Sequence, residues 1–258
     1  MHLEAFLQQK NIPHRVLDDG TWVLERTIDA AGSQLNEWPD KMVVQGDFIL
    51  RNTPNRHLPE NLVVEGGLDI AGTAIRSIDE NVSVGTWLDA SNSMLQSINA
   101  NRSLNGFLNL NDATTSTLPT GLTVHDWLDA SGTQISAVPS GLSVGGDAYF
   151  GNTPLKTIAP GSRFGGNLDL WRTNVRQLSD VQVAGSVVAD SSALERVDED
   201  AMIGGLISVT DTPYAKAQGV SSIEPSGPGL GGWDLSVLDT DLDPAGQART
   251  NTGPTRVH

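Results

Sequence analysis

Apolar residues return every 20 positions through most of this chain, and that spacing limits the possible fold more than any other feature. From Trp38 the positions are Leu58, Ile78, Ile98, Leu118, Val138, Ile158 and Leu178. The next, Val197, comes after 19, which places a one-residue deletion near Ser179–Val181. Three further columns agree. Six after each anchor lie Val44, Val64, Val84, Leu104, Val124, Val144 and Phe164. Ten after lie Phe48, Leu68, Leu88, Leu108, Leu128, Ala148 and Leu168, and twelve after lie Leu50, Ile70, Ala90, Leu110, Ala130, Phe150 and Leu170. In a chain that is 38% apolar, such agreement arises by chance on the order of once in 10¹² trials.

Within a unit such as Leu58–Ser77, apolar residues alternate at 62, 64, 68 and 70, which is strand spacing. No stretch holds a 3.6-residue period long enough for a full helix. Gly recurs eight after the anchor (Gly46, Gly66, Gly106, Gly146, Gly166), where positive φ or close backbone approach is expected. Gly, Asn or Asp recurs fourteen after it (Asn52, Gly72, Asn92, Asp112, Gly132, Asn152), as in a turn with a left-handed residue. Thr or Ser follows at Thr53, Thr73, Ser93, Thr133, Thr153 and Thr173, where a hydroxyl can satisfy a buried turn amide. Pro39, Pro59, Pro119 and Pro139 mark a third corner. Each unit is one coil of short strands and turns. The expected fold is mainly β, a parallel β-solenoid of about nine coils, roughly 40–45 Å long.

The open ends of such a stack need caps. Residues 1–37 supply one: a short helix through Leu3, Phe6 and Leu7, then a hairpin about Asp18-Asp19-Gly20. The repeat domain spans 38–212. Residues 213–258 read as a Gly/Pro/Asp-rich arm, with a linker-like stretch over 224–232.

Leu68-Asp69-Ile70-Ala71-Gly72-Thr73-Ala74-Ile75-Arg76-Ser77-Ile78 resembles the leucine-rich-repeat core L-x-L-x-x-N-x-L-x-x-L, with Thr73 in place of Asn. Leu118-Pro119 and Val138-Pro139 are similar to the Leu-Pro junction of bacterial leucine-rich repeats. The resemblance covers residues 38–212 and implies a leucine-rich-repeat-like solenoid of bacterial or phage type. It departs where Leu is expected three before Leu68: that column reads Gln45, Glu65, Gly85, Asn105, His125, Gly145 and Gly165. Horseshoe curvature is therefore not implied. A weaker resemblance is to pentapeptide-repeat proteins, through Leu128-Asp129-Ala130-Ser131-Gly132-Thr133, whose phase Gly121-Leu122-Thr123-Val124 breaks.

Composition narrows the function. The chain carries 31 acidic against 16 Lys and Arg residues, a net charge of −15, which argues against direct nucleic-acid binding. It lacks Cys, which excludes disulfides, thiolate metal sites and a Cys nucleophile. No apolar run approaches a membrane span, and the N-terminus carries no secretory pattern, so a cytoplasmic or virion-associated location is expected. The five His are scattered, and nucleophile-elbow, phosphate-loop and H-E-x-x-H motifs are absent. Asp69 and Asp89 on adjacent coils could serve glycoside chemistry, but every Asp ladder offers such pairs. Asp239–Pro244 imitates a calcium loop with Pro244 where Gly is required. No enzyme, cofactor, metal or small-molecule ligand is expected.

In leucine-rich repeats ligands bind the outward positions of the main strand, here nine, eleven and thirteen after the anchor. These place Trp87, Phe107 and Trp127 in one outward column and Asp89, Asn109, Asp129, Tyr149 and Asp169 in the next. Trp171 and Arg51 stand in the third. These residues, Arg51 apart, form the candidate partner site, since exposed apolar patches have partners. A plainer reading makes the aromatics a self-packing stack and the acids solubilising charge. The expected function is a non-catalytic structural or interaction solenoid that binds a protein or its own copy, as a virion component or effector-type binder. Two alternatives are an acidic mimic of DNA and a glycan-binding module.

Overall fold

A computed structural model describes residues 3–99 and 103–224. The arm beyond 224, with its linker and Asp239–Pro244, lies outside the described residues.

Strands two to four residues long repeat along the chain and hydrogen-bond coil to coil, in three ladders. The main ladder has eleven strands. Ten run parallel, from Ile28–Asp29 through Phe48–Ile49 and Leu88–Asp89 to Ile207–Ser208, so the chain makes about nine turns of a parallel β-solenoid. The register step is 20, as in Leu88↔Leu108 and Leu108↔Leu128. It falls to 19 at Leu168↔Val187, where the one-residue deletion is absorbed. A second ladder passes from Val44 to Val84 and from Leu104 to Ile203. The third is made of pairs such as Ser77–Ile78 with Ser97–Ile98.

Alternation on each strand sends one side chain into the rod and the next outward. The columns six, ten and twelve after the anchor are all buried. Another inward column, seventeen after the anchor, lines the remaining wall with Leu35, Ile75, Leu95, Ile135, Leu155 and Val175. Of these the leucine-rich-repeat resemblance had marked only Ile75. Two polar residues interrupt this column and both are satisfied. Asn55 donates to the Leu35 carbonyl at 3.0 Å and accepts from Trp38 Nε1 at 2.7 Å. The Thr115 hydroxyl donates to the Leu95 carbonyl at 2.8 Å.

The turn fourteen after the anchor is left-handed as expected, with φ near +55° at Asn52, Asn92, Asp112 and Asn152 and +66° at Gly72. Arg172 and Ser191 hold the same conformation, Arg172 without a turn-forming side chain. The hydroxyl that follows works differently from expectation. It chiefly donates to the carbonyl three residues earlier, as in Thr73 to Ile70 and Thr133 to Ala130, both 2.7 Å. The glycines eight after the anchor keep ordinary φ, so close approach explains them: a Cβ on Gly166 would lie 2.7 Å from the Asp147 amide nitrogen.

The N-terminal cap is helix α1, Leu3–Gln9, with Leu3, Phe6 and Leu7 on the core, followed by the antiparallel hairpin His14–Val16 and Trp22–Leu24. Trp22–Leu24 also pairs in parallel with Met42–Val44, so the ladder begins inside the segment read as cap. At the other end residues 213–224, the start of the segment read as an arm, are folded. Helix α2, Pro213–Gln218, is capped by the Thr212 hydroxyl and ends at left-handed Gly219. Ser222–Ile223 then returns antiparallel to Ile207–Ser208 and covers that edge. No helix among the described residues is long and apolar enough to cross a membrane.

Candidate functional site

The outward columns of the main ladder meet as a continuous strip. Trp87 and Phe107 stack with centroids 5.3 Å apart and planes 12° from parallel. Phe107 and Trp127 follow at 4.5 Å and 1°. All three rings are half-buried, Phe107 lying between the two indoles. The Trp87 ring lies over Gly67, and a Cβ there would fall on the indole. The aromatics therefore pack on one another, as in the plainer reading, and still present a partly exposed strip.

The stack stops at Trp127 because Asp147 holds the next position. Polar members of this column serve the backbone of the coil that follows. Asp147 Oδ1 accepts the Asn167 amide at 2.6 Å, and Asp47 Oδ1 accepts that of Gly67 at 2.7 Å.

The neighbouring acidic column has a structural task absent from the sequence reading. Asp69, Asp89, Asn109, Asp129 and Asp169 each accept the backbone N–H two residues on, at 2.8–3.1 Å. That bond closes the turn at the end of the strand, and it explains why Asn109 replaces Asp freely. The D-x-x pattern before the left-handed turn was the signal. In each Asp one oxygen is thus committed to the fold and the second remains for a further partner, whereas Asn109 has only its amide NH2 left. Arg51 Nη2 uses two of these second oxygens, at 2.8 Å from Asp69 Oδ2 and 3.6 Å from Asp89 Oδ2. Among the described residues no cation pairs with Asp129 or Asp169.

Burial pushes the Asp69 carboxyl above its ordinary value, against the pull of the Ala71 N–H and Arg51. Burial also raises Asp169, with Asp129 and Asp190 adding repulsion. Asp169 therefore holds its proton more tightly folded than unfolded. Its ionisation lowers stability as pH rises through the raised value, and the effect is absent below the unfolded value of about 3.9. Asp169→Asn keeps the acceptor for Trp171 and is expected to raise the melting temperature at pH 7. The gain should vanish near pH 3; a gain of equal size at both pH values contradicts this reading.

Tyr149 is the exposed member of this column between Asp129 and Asp169, and its hydroxyl donates to Asp147 Oδ2 at 3.1 Å. Burial raises its phenol, followed by the Asp147 bond and the charges of Asp147, Asp129 and Asp169. Trp171 stands apart from the aromatic stack, in the third column, where the Arg172 guanidinium lies 4.3 Å from its ring centroid. Between Trp127 and Tyr149 the surface sinks into an open recess of about 430 Å³, bordered also by Asp126, Gly146 and Asp147. A second groove, about 460 Å³, follows the proline corner at Trp38, Pro39, Pro54 and Pro59. No cluster of three or more His, Asp or Glu residues able to hold a metal occurs among the described residues.

No protein-family model, no curated protein and no solved structure matches this chain.

Proposed function

We propose that this chain is a non-catalytic interaction rod that binds a protein partner, or its own copy, through the aromatic and acidic strip of the main ladder. The observation that carries this reading is the half-exposed stack Trp87–Phe107–Trp127 lying beside the acidic column, where the outer oxygen of Asp129 pairs with no cation among the described residues. Flat aromatic surface on a rigid scaffold provides the anchors on which protein interfaces depend. The rod suits a virion component or an effector-type binder, in keeping with its resemblance to bacterial leucine-rich repeats.

DNA mimicry is the weaker reading, because half of each carboxylate in the acidic column is engaged by its own backbone and the adjacent column is aromatic. Glycan binding is favoured only by the recess beside Trp127. Partner capture in rising salt separates these readings. An aromatic-anchored protein interface predicts a shallow decline between 50 and 500 mM salt; a steep loss of several decades points to mimicry. Retention by a glycan array, lost in Trp127→Ala, favours the sugar reading over ours.

A further inference from the structure

We infer that the recess at the end of the aromatic stack is a receptor for an arginine side chain presented by a protein partner. This rests on the interaction-rod reading and names the chemistry of its partner.

The stack ends there for a steric reason. Trp127 has Phe107 against one face, while the next coil offers Gly146 and Asp147 rather than another ring. The second face of the indole consequently borders a recess of about 430 Å³ rather than a packed neighbour. Tyr149 forms the opposite side, its hydroxyl tied to Asp147 Oδ2. Asp126 is exposed at the rim, and its carboxylate has no partner among the described residues. An aromatic plane, a second ring and an unpaired carboxylate match a flat cation that stacks and donates hydrogen bonds in its own plane.

The rod itself shows both halves of this recognition elsewhere on the same face. Arg51 lays its guanidinium across Asp69 and Asp89, and Arg172 lays its own over Trp171. Between those points the third column holds Ala71, Ser91, Asn111, Ser131 and Gly151, so no arginine of this column reaches the middle coils. A net charge of −15 favours a basic visitor. The chain's own arm is a poor occupant, since residues 225–258 carry four Asp against Arg249 and Arg256.

The test titrates the full chain with a fluorescent Gly/Ser peptide carrying two arginines, and with matched lysine and citrulline peptides. Citrulline keeps the planar shape without charge, and lysine keeps the charge without the plane. The arginine peptide is expected to bind roughly tenfold more tightly than the lysine peptide, with the citrulline peptide weaker still. Trp127→Ala should cost roughly tenfold and Asp126→Asn a few-fold in arginine-peptide affinity. Equal affinity for arginine and lysine peptides, no binding of any peptide, or unchanged binding by Trp127→Ala overturns the assignment. Tighter binding in Arg249→Ala/Arg256→Ala places the arm in the recess and overturns the partner assignment. If Trp127→Ala loses its β circular dichroism, Asp126→Asn with the three peptides decides alone. Failure here with partner capture still dependent on Trp87 and Trp127 removes only this inference; loss of that dependence removes the interaction strip as well.

Discussion

Leu108→Asp is expected to abolish the folded rod at 25 °C rather than loosen one coil. Leu108 is fully buried and lies between Leu88 and Leu128 in the central part of the main ladder. A carboxylate there loses its hydration and meets no cation, because the inward columns around it are aliphatic. Protonation relieves part of this penalty but leaves a polar group in an apolar stack. The cost expected is more than ~4 kcal/mol. No coil buries its apolar face alone, so damage at one rung removes support from its neighbours. Leu108→Met, similar in volume, should cost less than ~1.5 kcal/mol. Urea unfolding followed by circular dichroism gives both values. A Leu108→Asp protein within ~1 kcal/mol of the wild type contradicts the inward placement of this column.

Gly165→Ala is the second large effect. A Cβ at this position would fall on the carbonyl oxygen of Gly145 in the preceding coil and lie 2.9 Å from its carbonyl carbon. The obstacle is backbone, which cannot swing aside as a side chain does. Its neighbours are fixed by two coil-to-coil bonds, Gly165 N–H to Val144 O at 2.8 Å and Gly166 N–H to Gly146 O at 2.9 Å. A single methyl group must lengthen at least one of these or tilt the coil. The expected cost is ~2–4 kcal/mol, which for a domain of this size lowers the melting temperature by roughly 5–15 °C. A shift under ~2 °C would show that the coils separate more easily than the ladder implies.

Much of this architecture is legible because it is written many times. The 20-residue step, the 19-residue step near Asp180 and the left-handed corner at Asn52, Gly72 and Asn92 each follow from side chains that recur in register. Features that occur once were not legible. Helix α2 and the returning strand Ser222–Ile223 have no second copy to compare, and their apolar content is too small to show a period. Arg172 adopts the left-handed turn with a side chain that gives no turn signal in the sequence.

The candidate site was legible as a set of columns but not as chemistry. Alternation alone put Trp87, Phe107 and Trp127 on one outward line, and the structure stacks them. The acid column looked like surface charge, yet its first role is to close turns, as the Ser131 N–H to Asp129 bond shows. Column position alone does not reveal that role; the D-x-x pattern ahead of the left-handed turn is what carries it. Column position does not show the recess either: it arises where the aromatic run stops, at Asp147.

The central claim is that this strip, and not another face of the rod, meets the partner. Affinity capture from the source cells with three baits tests it most directly: wild type, Trp87→Ala/Trp127→Ala, and Thr123→Ala/Ser143→Ala on the outward side of the second ladder. With all three baits folded by circular dichroism, the account predicts that the double Trp variant loses the protein retained by wild type, while the second-ladder variant keeps it. Retention by the Trp variant together with loss from the second-ladder variant would contradict the account and move the working surface to the other face.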